Sequence, residues 1–347
     1  MDDVARAAGV SKSSVSRALN GVPGTVAPAT AARVRRAMEE LGYVPNAVAA
    51  SLKYQRTKTV GLVLPDLGNP FFALVAAGVE AEISGAGYSL LVANTGNDHE
   101  RETSATRMLL ERQVDALLIG SSSLAGNHLR LALGRGVHVA LVDSHPRRFS
   151  VDCITADNRG GAAEATAHLL ALGHRDLGVI AGLADDSSAA ERLQGVRATL
   201  DAAGLRLPHE RCHAGDFGIA SGREGAHALL GGPDPPTALF VANNLMTVGA
   251  MRGIADLGLR IPDDVSLVGF DDMDWYPLAS PPITAVAQPA HEIGRRAARR
   301  LLERIRGTRR SRPRTELLPT ELIVRASTAP PRRQRLRRQN PTRKEHP

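Results

Sequence analysis

Short apolar faces at helical spacing, separated by polar turns, mark the beginning of the chain. The small apolar face of a short first helix comprises Val4, Ala5, Ala7 and Ala8. Gly9 then supplies the permissive backbone that ends a helix and turns the chain. The pattern therefore predicts one short helix followed at once by a tight turn.

A second helix is predicted from Lys12 to about Leu19. Ser11 is its expected N-cap, because a serine hydroxyl accepts a hydrogen bond from a free N–H of the first turn. Val15, Ala18 and Leu19 follow the i, i+3, i+4 spacing of a buried stripe. The polar side chains left on the outside are Lys12, Ser13, Ser16 and Arg17. Such side chains donate to base edges and phosphates in a major groove, so the pattern indicates a helix-turn-helix.

A third helix is predicted from about Pro28 to Leu41, ended by Gly42. Its inward side chains are Val34, Met38 and Leu41, and its largely outward ones are Arg33, Arg35 and Arg36. The alternative is a small helical bundle whose charges are only solvated. The agreement of apolar spacing, glycine, serine cap and arginines favours DNA binding.

From Thr59 onward short apolar runs alternate with stretches of helical period. The runs are TVGLVLP, YSLLVAN, VDALLIG, VHVALVD, LGVIAG, ALFVAN and VSLVGFD. Such alternation is typical of α/β domains with doubly wound parallel sheets. The region spans about 270 residues, long for one open sheet, so two lobes are favoured.

Polar or aromatic residues follow several of these runs. DLGNPFF, residues 66–72, follows the first, and Asp143, Asn243 and Asp271 follow later ones. Ligands of open parallel sheets bind beyond the carboxyl ends of the strands. We therefore expect a small-molecule site at these positions.

The formal net charge of +7 is unevenly distributed over the 347 residues. Residues 1–58 carry +5 and residues 329–347 carry +6, so the chain between them carries −4. A basic first segment on a mildly acidic body suits a protein that docks on DNA through one end. The arginine- and proline-rich last segment has no apolar periodicity and is expected to be disordered.

Cysteine usage and hydropathy predict the compartment. Cys153 and Cys212 are too few for a disulfide framework and fit a reducing environment. The sequence has no secretory signal and no run of about 18 apolar residues. We therefore expect a cytoplasmic, nucleoid-associated protein with no membrane contact.

No catalytic or metal centre is supported by the sequence. His168, His174 and His227 lack the HExxH and Cys-x-x-Cys spacings of metal sites. GSSS at residues 120–123 lacks the glycines of a nucleophile elbow, and AGNHLRLALGRG is not a phosphate loop. We expect no cofactor, no metal and no enzymatic activity.

DVARAAGVSKSSVSRALNG followed by ELGYVPNAVAASL resembles the DNA-binding headpiece and hinge helix of the LacI/GalR family of transcriptional regulators. The resemblance continues through nearly the whole chain to LPTELIVRAST. It implies that Lys12, Ser13 and Arg17 read bases. The positions that it places near phosphates are Ser14, Ser16, Asn20 and Thr30.

The predicted hinge is the segment NAVAASLK. Pro45 suits a helix start and Asn46 is a good N-cap, but a helix shorter than about 12 residues is not stable alone in water. We therefore expect a hinge that is disordered without DNA and helical on it. The resemblance adds DNA contacts from Asn46 and Ala49. It also implies that Leu52 wedges between base steps of the minor groove, an ordinary core contact being the alternative.

The rest of the chain resembles the periplasmic-binding-protein-like effector domain of the same family, through NPFF, AERLQG, GDFG, VANN and GFDD. The effector contacts that it implies are Phe71, Phe72, Asp143, Arg192, Phe217, Asn243, Asp271 and Gln288, with Asp271 opposite Arg192. Carboxylates, amides, a guanidinium and aromatic faces suit a sugar or a related ring compound. Taken singly, Phe71 or Phe72 could be core, Asp271 a helix cap and Arg192 a surface ion pair.

The predicted organisation has four segments. They are the headpiece 1–44, the hinge helix and linker 45–58, the two-lobed effector-binding and dimerisation domain 59–328 and the basic tail 329–347. The resemblance implies that the chain crosses between the lobes near Asp157–Asn158, near Gln288–Pro289 and before LPTELIVR.

Some features depart from the family pattern. No residues precede the first helix where the family has a threonine cap and a short arm, so either the start lies further upstream or this helix frays. Ala27 and Ala31 replace a capping serine and an arginine, which weakens the expected phosphate contacts. Asn244 stands where the family usually has aspartate, which we expect to alter the lobe hinge or the choice of ligand.

These observations predict a homodimeric regulator, a repressor in the simplest case. It would bind a pseudo-palindromic duplex operator, under the control of a carbohydrate effector held between two lobes. One alternative is a solute-binding protein, which shares the body but has no use for a helix-turn-helix. The other is a DNA-binding protein that ignores ligands.

Overall fold

The computed structural model describes residues 1–19, 26–43, 56–120, 126–144, 149–307 and 312–331. The chain divides into two units, Met1–Thr57 and Lys58–Pro347. Most of the predicted hinge and most of the predicted basic tail lie outside the described residues.

Three helices make up the described part of the first unit: Asp2–Ala7, Lys12–Leu19 and Pro28–Glu40. They enclose a small core of buried side chains, which are Val4, Ala5, Ala8, Val15, Val34 and Ala37. Gly9 has a φ of 62°, the left-handed conformation that glycine adopts without strain. The chain therefore turns between the first two helices where the sequence predicted.

Two predicted core positions of this unit are wrong. Ala7 is exposed because it lies about 100° around the helix from the middle of the buried face. Leu41 is 50% exposed because the third helix ends at Glu40 and Leu41 is its C-cap. Tyr43 packs against the core instead.

Two six-stranded sheets form the two lobes of the second unit. In spatial order, the first lobe has β11 (Thr315–Leu318), β5 (Asp152–Ala156), β4 (His138–Val142), β3 (Ala116–Ile119), β1 (Thr59–Leu64) and β2 (Ser89–Asn94). The second lobe has β12 (Glu321–Ile323), β10 (Thr284–Ala287), β9 (Ser266–Phe270), β8 (Ala238–Val241), β6 (Leu177–Ala181) and β7 (Cys212–Ala214). The pairings are parallel, apart from β10 with β12. The predicted two-lobed α/β fold is confirmed.

Helices pack on both sheets. Those of the first lobe are Pro70–Ser84, His99–Glu111, Asn127–Gly134 and Ala290–Ile305. Those of the second lobe are Asn158–Ala171, Ser187–Ala202, Ile219–Leu230 and Asn244–Asp256. Each lobe thus buries its own apolar core between sheet and helices.

The chain crosses between the lobes three times: after β5, after β10, and between β11 and β12. The first two crossings fall at Asp157–Asn158 and Gln288–Pro289, as the resemblance implied. The third falls at Pro319–Thr320, inside LPTELIVR rather than before it, because Leu318 still belongs to β11. Three separate connections therefore join the lobes.

All seven predicted runs contain strands, but five strands were not predicted: β5, β7, β10, β11 and β12. β5 begins with Asp152, whose buried carboxylate accepts from Arg304 Nε at 2.8 Å and pairs with Arg300 at 3.5 Å. This charged residue breaks the apolar pattern, yet its partners satisfy it inside the lobe. The other four strands are only three or four residues long.

Two glycines bring two helices of the first lobe into close contact. A Cβ on Gly78 of Pro70–Ser84 would overlap the carbonyl oxygen of His291. A Cβ on Gly294 of Ala290–Ile305 would overlap the carbonyl oxygen of Val75. Residues Asn69–Phe72 form the start of the first of these helices, so the close packing of the two helices holds them in position.

Candidate nucleic-acid interface and interlobe cleft

The outer face of the Lys12–Leu19 helix carries the polar side chains that the sequence predicted. Lys12, Ser13 and Arg17 are exposed, whereas Ser14 and Ser16 are partly buried. Val15 on the opposite side is fully buried, which fixes how the helix is rotated on its core. The structure therefore presents the three predicted base-reading side chains to solvent.

Ser11 caps this helix, as predicted. The backbone N–H of Ser14 donates to the Ser11 hydroxyl at 3.2 Å. The hydroxyls of Ser13 and Ser14 lie 2.8 and 2.9 Å from the same oxygen. Three hydroxyls thus cluster at a helix N-terminus, where free N–H groups favour a phosphate.

An ion pair that the sequence reasoning missed engages Lys12. Its Nζ donates to Asp2 Oδ2 at 3.0 Å, and the two side chains are 60% and 68% exposed. This hydrogen bond and the lysine charge lower the pKa of Asp2. The partners lie on different helices, so sequence spacing carried no signal for the pair. Lys12 must share or leave this carboxylate when it contacts DNA.

The start of the Pro28–Glu40 helix agrees with the departure seen in the sequence. Its N-cap, Ala27, makes no side-chain hydrogen bond, and Thr30 in the first turn is partly buried. The arginines predicted to point outward are exposed, namely Arg33, Arg35 and Arg36. Four predicted DNA contacts lie outside the described residues and stay predictions: Asn20, Asn46, Ala49 and Leu52.

A cavity of about 40 Å³ lies between the lobes, at the carboxyl ends of β1, β4, β8 and β9. Its first-lobe walls are Pro65, Asp66, Asn69, Phe71, Phe72, Asn97 and Asp143. Its second-lobe walls are Asp186, Ser188, Arg192, Phe217, Asn243 and Asp271. Pockets that bury small ligands are usually about 300–1,000 Å³, so the lobes must part, or side chains must turn, to admit one. Seven of the eight predicted effector residues meet here.

Arg192 is buried in the second lobe, with 3% of its surface exposed. Its Nε donates to Asn158 Oδ1 at 2.8 Å and its Nη1 to the Ala242 carbonyl at 2.6 Å. Its guanidinium carbon lies 4.0 Å from the ring centroid of Phe270. Within the described ranges no carboxylate pairs with it inside 4 Å and nothing accepts from Nη2. Arg192 is therefore not a surface ion pair, and Nη2 is available at the cavity.

Three carboxyl groups of the cavity are perturbed by burial. Burial raises the pKa of Asp143 well above its usual range, raises the pKa of Asp271, and raises the pKa of Asp186 to about 6. The positive charge of Arg192 opposes all three shifts. The cavity is thus a place where negative charge is already costly.

Unusual backbone conformations also gather at the cavity. Six described non-glycine residues have a positive φ, and four of these line it. These four are Asn97 (59°), Asp143 (59°), Phe217 (70°) and Asp271 (70°). Such conformations cost energy and cluster at functional sites, where the surrounding structure imposes them. Backbone geometry therefore marks the same place as side-chain chemistry does.

Two hydrogen bonds cross from one lobe to the other beside the cavity. The Ser188 hydroxyl donates to the backbone carbonyl of Asp143 and lies 3.4 Å from its Oδ1. Asn244 Nδ2 donates to Asn69 Oδ1 at 2.9 Å, and both amides are buried. An aspartate at position 244, the family's usual residue, has no hydrogen to donate to Asn69. The departure noted in the sequence therefore falls on a contact between the lobes.

Aromatic rings cover part of the cavity. Phe71 and Phe72 meet edge to face with centroids 5.1 Å apart. Phe71 is also part of the first lobe's core, at 4% exposure, while Phe72 is partly buried. A Cβ on Gly182 would overlap the ring of Phe217, so the absence of a side chain at Gly182 leaves room for that ring.

Asn243 and Gln288 form hydrogen bonds within the protein that the sequence did not indicate. Asn243 caps its helix through Oδ1, which accepts from Met246 N at 2.9 Å, and its Nδ2 donates to the Phe217 carbonyl at 3.0 Å. Gln288 lies behind the cavity wall, where its Nε2 donates to Asp271 Oδ1. Its predicted effector contact stays a prediction, and its observed contact is with Asp271.

Six lining residues were not named as effector contacts from the sequence: Pro65, Asp66, Asn69, Asn97, Asp186 and Ser188. Asp66 and Asn69 belong to DLGNPFF, the segment expected to form the site. Asp186 and Ser188 lie at the start of the helix that carries Arg192. The predicted effector contact of Arg192 could therefore have indicated that they line the cavity too. Asn97 follows no predicted site segment.

No helix in the described part of the chain is long and apolar enough to cross a membrane. No three His, Cys, Asp or Glu side chains there are grouped so that they could hold a metal ion.

A helix-turn-helix unit followed by a two-lobed unit with a polar cavity defines a ligand-responsive DNA-binding regulator. Residues 1–46 match the family described as bacterial regulatory proteins, lacI family, and residues 166–328 match the periplasmic binding protein-like domain. The chain belongs to the LacI family of transcriptional regulators. It is thus a regulator of transcription and not an enzyme.

Individual proteins agree with this assignment. The HTH-type transcriptional repressor PurR of Photobacterium profundum is 36% identical, with 94% of this chain and 97% of PurR covered. The structure of the transcriptional regulator CelR–cellobiose complex has a TM-score of 0.73 and 35% identity, covering 94% of this chain and 98% of CelR. The Lac repressor dimer bound to operator and the anti-inducer ONPF has a TM-score of 0.83 and 30% identity, with the same coverage.

Proposed function

We propose that the protein is a repressor whose operator affinity is set by a carbohydrate effector bound between the lobes. The observation that carries the proposal is the cavity, where buried carboxylates, the guanidinium of Arg192 and three aromatic rings converge. Carboxylates and a guanidinium suit sugar hydroxyls, and aromatic faces suit the apolar side of the ring. The cellobiose complex of the CelR regulator supports this class of ligand.

The Lys12–Leu19 helix is the proposed reader of the major groove. The exposed Lys12, Ser13 and Arg17 contact bases, and the contacts to phosphates come from Ser14, Ser16, Asn20 and Thr30. A hinge helix adds contacts from Asn46 and Ala49 and the Leu52 wedge in the minor groove. The operator-bound Lac repressor supports this mode of docking.

The regulator is proposed to act as a homodimer on a pseudo-palindromic operator. Large apolar side chains lie exposed in both lobes, with Leu74 at 47%, Trp275 at 39% and Leu278 at 84%. A two-fold dimer presents two reading helices to two half-sites, and the Lac repressor structure similar to this chain is a dimer bound to operator. Sedimentation of the full chain should give the mass of two chains, and the mass of one would contradict the dimer.

The coupling between effector and DNA is proposed to run through lobe closure. Of the two ways to admit a ligand larger than the cavity, parting of the lobes would change the Ser188–Asp143 and Asn244–Asn69 contacts, and so the angle between the lobes. That change in the angle between the lobes helps or hinders folding of the hinge helix on DNA. The proposed location of the regulator is the cytoplasm, on the nucleoid. Coupling of this kind is typically worth about 1–3 kcal/mol.

Selection of binding sites from random duplex DNA with the full chain tests the DNA half of the proposal. The expected product is a pseudo-palindrome. Titration of that site against sugars, nucleosides and related metabolites tests the other half, and a sugar should change the operator Kd at least fivefold. An asymmetric site, or a palindrome whose Kd no compound changes, would contradict the proposal.

A further inference from the structure

We propose that the interlobe cleft selects its ligand by charge, accepting a polyhydroxy compound that carries hydroxyl or ammonium donors and rejecting one that carries a carboxylate or phosphate. This inference rests on the proposed function, since it names the class of ligand for the same cleft. It goes further, because carbohydrate derivatives include acids, amines and neutral sugars.

The charged side chains that line the cavity are strongly unbalanced. Four are carboxylic acids, namely Asp66, Asp143, Asp186 and Asp271, and Arg192 is the single base among the described lining residues. Asp186 and Asp271 are buried, at 8% and 4% exposure. An anionic ligand would bring like charge next to them in a medium of low dielectric, where repulsion is strong.

The hydrogen-bonding inventory points the same way. An ionised carboxylate has about four acceptor positions. Asp186 uses one oxygen to cap Ala189 N at 2.8 Å, and among the described residues Asp143 Oδ1 has one weak contact, at 3.4 Å with the Ser188 hydroxyl. Wherever these acids are ionised, the acceptors left over need hydrogens, which hydroxyl and ammonium groups supply and an ionised acid group does not.

Arg192 is the single charged donor among the described lining residues, and the Asn69 and Asn97 amides there are neutral donors. Arg192 is buried, and its Nη2 has no acceptor among the described residues. The Ser188 hydroxyl donates to Asp143, and the Asn243 amide is committed to Phe217 and Met246. One guanidinium edge is enough for a ring oxygen or a hydroxyl oxygen. It cannot also offset a further negative charge among four acids.

The carboxyl groups themselves report the cost of negative charge in the cavity. Burial raises the pKa of Asp143, Asp186 and Asp271, so each is harder to ionise there than in water. A ligand ammonium would favour their ionised forms, whereas a ligand carboxylate would disfavour them further.

Matched sugars test the inference directly. Thermal unfolding of the full chain is measured with D-glucose, D-glucosamine and D-glucuronate, which all keep the pyranose ring, and with the corresponding galactose and mannose sets. In the set that responds, we expect the amine to bind at least as tightly as the neutral sugar, and the acid to bind at least tenfold more weakly. Tighter or equal binding of the acid would overturn the inference.

Asp186→Asn separates charge from shape. Asparagine also caps helices well, so the Ser187–Ala202 helix keeps its cap while the cavity loses one negative charge. The disadvantage of the acid relative to the neutral sugar should shrink at least fivefold, because the ratio of the two Kd values removes any loss of affinity that both ligands share. Asp201→Asn, an exposed change on the same helix, is the matched control and should leave the ranking intact. An unchanged ranking in Asp186→Asn would overturn the inference.

The outcomes keep the two proposals apart. An acid that binds best and also changes operator affinity would overturn charge selection alone. A neutral or amino sugar that binds without changing operator affinity would overturn the proposed function alone. No thermal shift with any member of the three sets would overturn both the carbohydrate effector and its charge selection.

Discussion

The DNA-facing helix and the interlobe cleft recognise their partners with opposite constructions. Lys12–Leu19 is one exposed helix of eight residues, and its ion pair to Asp2 lies in water. The cleft is lined by residues from both lobes, between Pro65 and Asp271 in the sequence, and burial raises the pKa values of acids among them. On the exposed face of the helix a substitution should change DNA affinity alone. In the cleft it should change stability, protonation and ligand choice together.

Arg192→Ala should have the largest effect. It leaves Asn158 Oδ1 and the Ala242 carbonyl without their donor and removes the charge that offsets the cavity acids. We expect a loss of about 3–4 kcal/mol in the free energy of unfolding of the second unit, and no effector response. Urea unfolding and effector titration measure the two effects.

Arg223→Ala is the control for this change. Arg223 pairs with Asp256 at 2.6 Å, but it is 55% exposed, so its loss should cost less than about 1 kcal/mol. Equal losses in the two variants would show that burial does not distinguish the cleft from the surface.

Asp186→Asn should change how stability depends on pH. The pKa of Asp186 is raised from 3.8 to about 6, so the folded state binds its proton more tightly than the unfolded state. This group stabilises the wild type fully below about pH 4, and the contribution is lost as pH rises through about 6. At pH 7 the variant should be more stable by at most about 3 kcal/mol, with no difference below pH 4.

Asp98→Asn is a matched cap with the opposite electrostatics. Backbone N–H groups of Arg101 and Glu100 lower the pKa of Asp98, which lies at the exposed start of its helix. Its ionised form is therefore the stabilising one, and the wild type should lose that contribution as pH falls. A gain in stability at pH 7 from this variant too would contradict the contrast.

Arg17→Ala should weaken operator binding by about 1–3 kcal/mol, roughly ten- to a hundredfold, without changing stability. The side chain is exposed and forms no described ion pair, so nothing is left unpaired by its removal. Fluorescence anisotropy with the selected operator gives the Kd. Arg130→Ala, an exposed arginine of the second unit, should leave that Kd within twofold.

Asn244→Asp should loosen lobe closure. It removes the donor to Asn69 Oδ1 and adds a carboxylate next to Asp271, whose Oδ2 is 3.4 Å from the backbone N of residue 244. We expect a cost of about 1–2 kcal/mol and a larger radius of gyration in X-ray scattering. Asn127→Asp, an exposed first residue of another helix, should be neutral or slightly stabilising. An unchanged radius for Asn244→Asp would contradict the prediction that the Asn244–Asn69 contact helps to hold the lobes together.

Asp2→Asn should have the smallest effect. It releases Lys12 and removes a negative charge from the DNA-facing surface, so operator affinity should rise two- to fivefold, under about 1 kcal/mol. Asp3→Asn removes a charge that pairs with Arg6 rather than Lys12 and is the matched control. Equal gains from both would mean that net charge, and not the Lys12 pair, is responsible.

Local patterns explain what the sequence predicted well. Ser11, Gly9 and the Val15 stripe act over a few residues, so the DNA-facing helix was placed with its bounds. Continuous apolar runs likewise marked seven strands. β5 was not predicted because the charged Asp152 interrupts its apolar pattern. The side chains that neutralise Asp152, Arg300 and Arg304, lie about 150 positions away in the sequence, so no local pattern indicates them.

For the cleft, the sequence predicted which residues lie there but not how they interact. Its strand ends and family resemblance indicated Asp143, Arg192 and Asp271, but not how their charges balance. The Asn244–Asn69 bond joins residues 175 positions apart, so no local pattern could reveal it. Burial perturbs the pKa of Asp186 through packing, which a helix-cap signal does not report.

The most direct test of the account is the Kd of the responding sugar for the full chain, measured with and without saturating operator. Because coupling is reciprocal, operator should change the sugar Kd by the same factor by which the sugar changes the operator Kd, about 5–150-fold. Equal factors within error would support one chain with two linked sites. A sugar Kd that operator leaves unchanged would contradict the account.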